Sequence, residues 1–404
     1  MTSLNSFYIS SDVLGSHDRH MLVSPDGFSF TAKVPHTDWL LSSGCRDVPP
    51  LCINTLLKIH GKDIDTSPGG KWKNMASTLG VSSAPPWSQL MPSFQYKSYV
   101  KNLIKQVIEC TRGLSQEFYM TTWLPCGGLF ASLRPAKVDS AQLKQLLESD
   151  PVGRTSLETF KPSGGFAQPV VYDRFGTRTG RLTVRSGPNI LTLRKDHKGI
   201  IKSYYPSGSI VSLDFSSLEA RVILQETDVE MIEDDIYLQI SQRLFDGRIP
   251  RDVVKVAVLS ELYGASKATL GHRLEMGGAE LDSFVSAIRS YFRTDDLKAR
   301  LMKQHNEEKR IHNRYGRPLF FDVENPSHLL INTYAQSTGV DVSLLGFTSV
   351  VNDLGPDGVR PLFILHDALI LDVREDRMAD VAAIKKIAVP GYRHHFPVKA
   401  EILR

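Results

Sequence analysis

The feature that most restricts the fold of this chain is the apolar run Leu362–Val373, which is broken in its middle by His366 and Asp367. Apolar and β-branched residues on both sides of a short polar pair predict two strands joined by a tight turn. An Asp in a tight turn is common, but a His-Asp pair between two buried strands is less so. The pattern therefore indicates a functional site at the tip of a hairpin.

A third strand is predicted at Ser209–Phe215, and it carries Asp214 close to its end. An Asp in this position usually forms a turn or caps the following helix. Ser216 and Ser217 can supply that cap instead, which leaves Asp214 for other work. A carboxylate at the rim of a sheet can hold a metal ion, so Asp214 is a candidate ligand.

A helix is predicted over Ile249–Gly264, because an apolar segment of helical length begins beside a proline and ends at a glycine. Steps of four residues place Arg251, Lys255, Leu259 and Tyr263 near one face of this helix. Much of the helix is apolar and should be packed, and two aligned cations are costly to bury without an anion. A triphosphate would satisfy both cations; a pair of surface charges is the alternative interpretation.

The remaining elements place these segments in an α+β fold. Helices mixed with a few strands that are not neighbours in sequence are typical of a domain with an antiparallel sheet. The 404 residues are enough for two or three domains. The other predicted helices are Lys97–Cys110, Val138–Glu148, Asp341–Asn352 and Arg377–Ile387, and the last predicted strand is Pro397–Leu403.

The composition is ordinary for a globular protein, with 41% hydrophobic and 23% charged residues. No stretch of 18 apolar residues predicts a membrane span, and the N-terminus lacks the regions of a signal peptide. A cytoplasmic protein is therefore expected. Cys45, Cys52, Cys110 and Cys126 show neither a C-x-x-C pair nor the spacing of zinc ligands, so we expect reduced thiols.

The net charge of +4 is by itself weak support for a polyanionic partner. Its distribution is more informative, because residues 251–317 hold thirteen Lys and Arg against nine Asp and Glu. The rest of the chain is therefore neutral overall. This local excess fits nucleic acid binding, and a solvated basic face is the other interpretation.

Taken in order, the three segments resemble motifs A, B and C of the family-A DNA polymerases, which include bacterial DNA polymerase I and the replicases of short-tailed phages. Motif A is similar to Asp214-Phe-Ser-Ser-Leu-Glu219-Ala-Arg221, motif B to Arg251-x3-Lys255-x7-Tyr263-Gly264, and motif C to His366-Asp367-Ala368. Further matches are Thr179-Gly-Arg-Leu182 with Pro188-Asn-Ile, Tyr315-Gly-Arg-Pro-Leu, and Asn332-x3-Gln336-Ser-Thr-Gly-Val-Asp. The resemblance covers about residues 160–404 in the family's order and spacing.

Five positions depart from the family pattern. Ala368 stands where a Glu usually follows the motif C Asp, and Leu259 replaces the motif B aromatic residue. Ser217 replaces a Gln, Tyr237 a His, and His328 an Arg. These substitutions bear on rate and fidelity more than on the class of reaction.

The resemblance implies a right-hand fold with an antiparallel palm sheet, helical fingers and a helical thumb. It places the palm at 161–231 and 328–404, the fingers at 232–327 and a thumb-like helical segment at 96–160. Residues 1–95 form an N-terminal region of unknown role. The implied activity is template-directed addition of deoxynucleotides to a primer 3′ end with two Mg²⁺ ions, for which Mn²⁺ can substitute.

The resemblance also assigns roles to individual residues. Asp214, Asp367 and the backbone carbonyl of Phe215 hold the metal ions. The deoxynucleoside triphosphate (dNTP) is bound by Arg251, Lys255, Leu259, Tyr263 and Glu219, and Glu219 excludes a ribose 2′-OH. The primer-template is held by Arg181, Asn332, Gln336 and His366 through the minor groove and the phosphates.

Residues 1–95 are not expected to contain a proofreading exonuclease. Such a domain needs an early Asp-x-Glu and further carboxylates, and Asp12, Asp18, Asp26 and Asp38 lack that arrangement. Primer-template DNA and dNTPs are the expected partners, with no membrane. A separate exonuclease, a processivity factor or a helicase-primase would be further partners, in the host cytoplasm if the chain is viral.

Two alternatives to a DNA polymerase stay open. A catalytically weak accessory subunit that binds primer-template is suggested by Ala368, although Asp214, Asp367, Arg251 and Lys255 all remain. A single-subunit RNA polymerase shares the motif B helix and the His-Asp motif. Such an enzyme would carry a small residue in place of Glu219.

Overall fold

The computed structural model describes residues 4–15, 19–44, 49–78, 87–230, 235–264 and 267–403. Asp18 and Cys45 lie outside these ranges. The chain divides into two compact units, Met1–Gly128 and Leu129–Arg404. Within the described ranges, every helix is too short or too polar to traverse a lipid bilayer.

The first unit is built on a five-stranded mixed sheet with the order β3-β2-β1-β4-β5. Strands β1, β2 and β3 pair antiparallel, whereas β4 and β5 run parallel to β1. The strands are β1 (Phe7–Ile9), β2 (His20–Ser24), β3 (Gly27–Thr31), β4 (Trp39–Leu41) and β5 (Leu51–Cys52). The helices are α1 (Ser11–Leu14), α2 (Ile53–Ile59), α3 (Gly70–Thr78), α4 (Trp87–Leu90) and α5 (Ser93–Thr111), followed by a π-helical turn at Tyr119–Trp123.

Helix α5 confirms the helix predicted at Lys97–Cys110 and extends it at both ends. The sheet of this unit was not predicted from the sequence. Its strands contain two to five residues each, so alternation between apolar and polar positions has little length in which to show.

The second unit is centred on a five-stranded sheet with the order β13-β14-β10-β16-β15, in which every neighbouring pair is antiparallel. The strands are β10 (Gly208–Phe215), β13 (Val359–Leu365), β14 (Ala368–Arg374), β15 (Lys386–Ile387) and β16 (Phe396–Ile402). They confirm the predicted hairpin around His366-Asp367, the predicted strand at Ser209–Phe215 and the predicted last strand. The smaller strands are β6 (Lys137–Val138), β7 (Val171–Asp173), β8 (Thr183–Ser186), β9 (Ile201–Lys202), β11 (Ile311–His312) and β12 (Pro318–Leu319).

Helices surround this sheet and also form a core of their own. Side chains such as Ile240, Val258, Phe284 and Leu301 are buried together in one hydrophobic cluster. The helices are α6 (Gly127–Ser132), α7 (Ser140–Ser149), α8 (Arg154–Glu158), α9 (Leu218–Glu226), α10 (Ile236–Phe245), α11 (Arg251–Leu262), α12 (Lys267–Leu274), α13 (Gly278–Phe292), α14 (Thr294–Glu308), α15 (Leu330–Leu354) and α16 (Met378–Ala383), with 3₁₀ turns at Lys195–Ile200 and Glu375–Arg377.

Two predicted helices need correction. In the predicted Val138–Glu148, Val138 belongs instead to strand β6, and α7 begins after Asp139, whose carboxylate accepts the N–H of Ala141 (3.1 Å) and Gln142 (3.0 Å). The continuous helix at Arg377–Ile387 is wrong, because α16 ends at Ala383. The chain then enters β15, where Ile387 pairs with Phe396 of β16.

Helix α15 is long, mostly buried and packed against the sheet. It starts eleven residues before the predicted Asp341–Asn352, and so contains Asn332 and Gln336 as well. Gly346 lies where α15 crosses β10, since a Cβ atom there would stand 2.9 Å from the Phe215 ring. Close approach of helix and strand at this point explains why glycine occupies the position.

Candidate active site

Asp214 and Asp367 are brought to the same edge of the central sheet. In the antiparallel register of β10 and β14, Asp214 faces Ala368, the residue that follows Asp367. The backbone N–H of Phe215 donates to the carbonyl of Asp367 at 3.1 Å, which ties the end of β10 to the hairpin turn. His366 has a φ of +55°, as the sharp turn between β13 and β14 requires.

Without a cation, negative charge on both Asp214 and Asp367 is unfavourable at this edge of the sheet. Burial raises the pKa of Asp214 to about 7, and the negative charges of Asp367 and Glu401 act in the same direction. The side chain of Asp214 reaches the cleft surface, yet protein encloses enough of it for burial to be the main cause. Burial also raises the pKa of Asp367, with a contribution from Glu219. A bound cation would relieve this repulsion.

The donor set at this edge fits a hard divalent cation. Within the described ranges, no three His, Cys, Asp or Glu side chains lie close enough to hold a metal ion by themselves. Asp214 and Asp367 therefore offer part of a coordination shell. Mg²⁺ is commonly held in this way, by one or two carboxylates, with water and substrate phosphate oxygens filling the remaining positions.

The two aspartates open onto a cleft of about 410 Å³. Most of the predicted site residues line it: Arg181, Asp214, Phe215, Glu219, Lys255, Leu259, Tyr263, Gln336, His366 and Asp367. Within the described part of the chain, Arg251 and Asn332 are the predicted residues that do not. Asn332 lies one turn before Gln336 on α15, and its side-chain oxygen accepts from the Gln336 amide at 2.5 Å.

Glu219 connects two other predicted site residues. The Tyr263 hydroxyl donates to one carboxylate oxygen at 2.5 Å, and Arg181 donates to the other at 2.7 Å. Only 17% of the Glu219 side chain is exposed, and burial together with this hydrogen bond raises the pKa of Tyr263. The Tyr263 hydroxyl therefore stays protonated as the donor.

Tyr263 is positioned by the end of α11. Gly264, directly after it, has a φ of +69°, and a Cβ atom there would lie 2.3 Å from the carbonyl oxygen of His328. Any larger residue would therefore collide with the backbone at His328. The Tyr263-Gly264 pair thus fixes where α11 meets the segment before α15.

The two cations of α11 are exposed, which is one of the two interpretations of the sequence. The helix packs through Val254, Ala257 and Val258, while Arg251 and Lys255 are exposed. Arg251 donates through Nε to Asp235 at 2.6 Å and through Nη1 to Asp252 at 2.8 Å. Its anion in this structure is therefore supplied by the chain itself.

Three of the segments singled out in the sequence meet at Arg317. Its guanidinium donates to the buried carboxylate of Asp341 at 2.7 and 3.2 Å, and Asn313 donates to the same carboxylate at 2.6 Å. A Cβ atom at Gly180 would lie 2.0 Å from the Arg317 guanidinium. The backbone at Gly180 therefore packs closely against Arg317, which lies in the segment between α14 and α15.

Two of the five departures from the family pattern contact each other. The Tyr237 side chain is buried and hydrogen-bonded to Ser217, whose backbone has a φ of +53°. Leu259 lies in the same cleft as both residues. Three of the five departures from the family pattern therefore lie in this cleft.

Several cleft residues were not identified from the sequence. On α15 these are Gly339, Val340, Ser343 and Leu344, which follow Gln336 at helical spacing. That spacing could have identified them, because positions three, four, seven and eight residues after Gln336 share its face. Lys198, Lys399 and Glu401 act on Asp214 through their charges, and no sequence motif marks them.

The fold is that of the right-hand class of polymerase domains. The solved POL domain of Pol1 from M. smegmatis, in complex with DNA primer-template and dNTP, has the same fold with a TM-score of 0.61. The match covers 99% of this chain and 95% of that one at 13% identity. The antiparallel sheet and the helices are therefore those of a polymerase domain.

Within that class, the chain belongs to DNA polymerase family A, whose sequence profile matches residues 168–402. The family uses divalent metal ions. The thermostable DNA polymerase I of Thermus aquaticus is 25% identical, and that of Thermus filiformis 24%, each match covering 57% of this chain. The match covers 31% of each of these relatives, so the chain corresponds to about a third of their length.

Proposed function

We propose that this chain is a template-directed DNA polymerase that adds dNTPs to a primer 3′ end by two-metal phosphoryl transfer. The observation that carries the proposal is that Asp214 and Asp367 lie at one edge of the palm sheet, in a cleft shared with Glu219, Lys255 and Tyr263. Phosphoryl transfer needs little covalent help from a protein and depends on positioning and neutralisation of charge.

Asp214, Asp367 and the backbone carbonyl of Phe215 would hold the metal ions, for which we propose two Mg²⁺, with Mn²⁺ as a substitute. When bound, they would lower the barrier at both the attacking hydroxyl and the leaving pyrophosphate. The two carboxylates supply hard oxygen ligands. Their pKa values are raised, so a bound cation would stabilise their charged forms.

The nucleotide would lie between the sheet edge and α11. Lys255 and Arg251 would neutralise the triphosphate, while Leu259 and Tyr263 would pack against the nascent base pair. Glu219 would occupy the space of a ribose 2′-OH, and its bonds to Tyr263 and Arg181 hold it in place. A firmly held side chain of this kind excludes a substrate better than a mobile one.

Primer-template DNA would be held by Arg181, Asn332, Gln336 and His366, mainly through the minor groove and phosphates. The M. smegmatis domain with the same fold was solved with DNA primer-template and dNTP, which supports both ligands here. Contacts to phosphates release counterions, so binding should weaken steeply with salt.

The proposed division assigns the palm to residues 161–231 and 328–404, the fingers to 232–327 and the thumb to 96–160. Residues 1–95 would lack proofreading activity. A separate exonuclease, a processivity factor or a helicase-primase, and a cytoplasmic location, stay predictions from the sequence.

Ala368 is the one observation that favours a second function, that of a catalytically weak subunit which only binds primer-template. It removes a carboxylate from the position facing Asp214. The enzyme is preferred because both aspartates and the cation-bearing helix are kept. Glu219 in the cleft argues against an RNA polymerase-like activity.

A single-nucleotide extension assay tests the proposed function. A labelled primer is annealed to four templates that differ only in the next base, and each is offered the four dNTPs separately with Mg²⁺. Addition of only the complementary nucleotide in each case is expected. Binding of the primer-template without extension would support the accessory subunit instead.

A further inference from the structure

Asp235 stands out because it makes two different kinds of contact with its two carboxylate oxygens. Oδ1 caps α10 by accepting the backbone N–H of Tyr237 at 3.0 Å and of Leu238 at 3.1 Å. Oδ2 accepts from Nε of Arg251 at 2.6 Å. Because the cap fixes the carboxylate, its second oxygen is presented to Arg251 in a defined position.

Arg251 binds a carboxylate or phosphate most strongly through a pair of parallel N–H groups. One such pair uses Nε and Nη2, and the other uses Nη1 and Nη2. Asp235 accepts from Nε and Asp252 from Nη1. Nε carries a single hydrogen, so a triphosphate can use the Nε and Nη2 pair of Arg251 only by replacing Asp235.

The two carboxylates are not equal competitors. The Asp252 side chain is 87% exposed, whereas that of Asp235 is 36% exposed. Burial would raise the pKa of Asp235, but the hydrogen bond from Arg251 and those from the helix N–H groups hold that pKa below its usual value. Asp235 is therefore the charged, fixed partner and Asp252 the solvated one.

Arg251 is also held beside the cleft. Its guanidinium lies 5.6 Å from the centre of the Tyr237 ring, and Tyr237 lines the cleft while Arg251 does not. The guanidinium is thus one side chain away from the space in which a nucleotide would bind.

We propose that Asp235 is a positioning residue that retains Arg251 outside the cleft and competes with the triphosphate of the incoming nucleotide for its guanidinium. The inference rests on the proposed function, since it specifies how that site receives its nucleotide. When the nucleotide binds, its triphosphate replaces the Asp235 carboxylate as the partner of Arg251. Asp235 therefore weakens nucleotide affinity without taking part in the chemistry.

Asp235→Asn separates these contacts, because the Asn side-chain oxygen keeps the cap while the charge is lost. The matched control is Asp246→Asn at the other end of α10. That residue has a φ of +52°, which Asn tolerates, and pairs with Arg248 rather than with Arg251. Both variants should unfold at temperatures close to that of the unchanged protein.

The experiment measures the equilibrium Kd of the complementary dNTP on a dideoxy-terminated primer-template with Ca²⁺, and in parallel KM and kcat with Mg²⁺. Asp235→Asn should lower Kd and KM about twofold to fivefold, as expected for loss of a half-exposed ion pair. Asp246→Asn should leave both unchanged. In an Arg251→Ala background, the effect of Asp235→Asn on Kd should disappear.

An unchanged or higher Kd for Asp235→Asn, or an effect that persists without Arg251, would overturn the proposal. If the unchanged protein fails to extend primers, the proposed function fails instead. The Kd comparison still shows in that case whether Asp235 competes for Arg251, so the two failures are distinguishable.

Discussion

Asp214 and Ala368 lie directly opposite each other in the antiparallel register of β10 and β14. The residue facing one proposed metal ligand therefore carries only a methyl group, at the position where the family usually has a Glu. Ala368 is 6% exposed, and Leu213 and Leu369 beside the pair are fully buried. The negative charge available to a cation at this edge comes mainly from Asp214 and Asp367.

Restoring a carboxylate at position 368 should lower the Mg²⁺ requirement. Ala368→Glu adds a negative charge beside Asp214, and metal affinity rises with the charge of the ligand set. The Mg²⁺ concentration for half-maximal primer extension should fall about threefold to tenfold. Ala368→Gln is the control of equal size, and the idea is wrong if Glu gains nothing over Gln.

Removal of the proposed sugar gate should admit ribonucleotides. Glu219→Ala leaves space beside Tyr263 and also frees Tyr263 and Arg181 from their shared partner. The preference for dNTPs over rNTPs, measured as the ratio of kcat/KM values, should fall about tenfold to a hundredfold. Glu219→Gln keeps the bulk and should retain most of the preference. If the unchanged protein already uses rNTPs as well as dNTPs, Glu219 is not the gate.

The buried pair of Arg317 and Asp341 should contribute strongly to stability. Their side chains are 8% and 0% exposed, so Arg317→Met leaves a buried carboxylate without its charged partner. The free energy of unfolding in urea should fall by about 3–5 kcal/mol. Arg154→Met, which breaks an exposed helical pair with Glu158 at 3.3 Å, should cost less than about 0.5 kcal/mol. Similar losses in both variants would contradict this account.

The raised pKa of Asp214 predicts a pH-dependent stability of the metal-free protein. Between the ordinary value of 3.8 and about 7 the folded state holds a proton that the unfolded state releases, so stability falls as pH rises through this window. Asp214→Asn removes this loss. In EDTA at pH 8 the variant should be more stable by about 1 kcal/mol, less than the full shift implies because solvent reaches the carboxyl.

The difference between Asp214→Asn and the unchanged protein should vanish near pH 4, since both carry a neutral side chain there. Adding Mg²⁺ at pH 8 should reverse the order, because only the unchanged protein keeps both carboxylates. Urea unfolding at the two pH values measures both effects. A variant that is less stable than the unchanged protein at pH 8 in EDTA would contradict the pKa assignment.

Much of the palm could be predicted from the sequence. The hairpin around His366-Asp367 and the strand ending near Asp214 are rich in buried apolar residues, so their sequences predict strands. The helix that carries Lys255 has clear boundaries in Pro250 and Gly264. Such elements can be predicted from a single sequence because the signals lie in their own residues: apolar side chains where the element is buried, and Pro or Gly where it ends.

Other parts could not be predicted because they depend on contacts distant in the chain. Strand β15 ends a helical pattern only because Ile387 pairs with Phe396. Arg251 looks like a phosphate ligand by its spacing, but Asp235, sixteen residues earlier, holds it outside the cleft. Similarly, nothing in the sequence marks Lys399 and Glu401 as neighbours of Asp214, since β16 joins β10 from the far end of the chain.

The most direct test of the proposed metal-binding pair compares primer extension by the unchanged protein and by Asp367→Asn, with Mg²⁺ and the complementary dNTP. Loss of a metal-binding carboxylate should reduce kcat at least about a thousandfold, equivalent to about 4 kcal/mol in the barrier. Affinity for the primer-template, measured by fluorescence anisotropy, should stay within about twofold. Extension by Asp367→Asn at a rate close to that of the unchanged protein would contradict the assignment of Asp214 and Asp367 as the metal-binding pair.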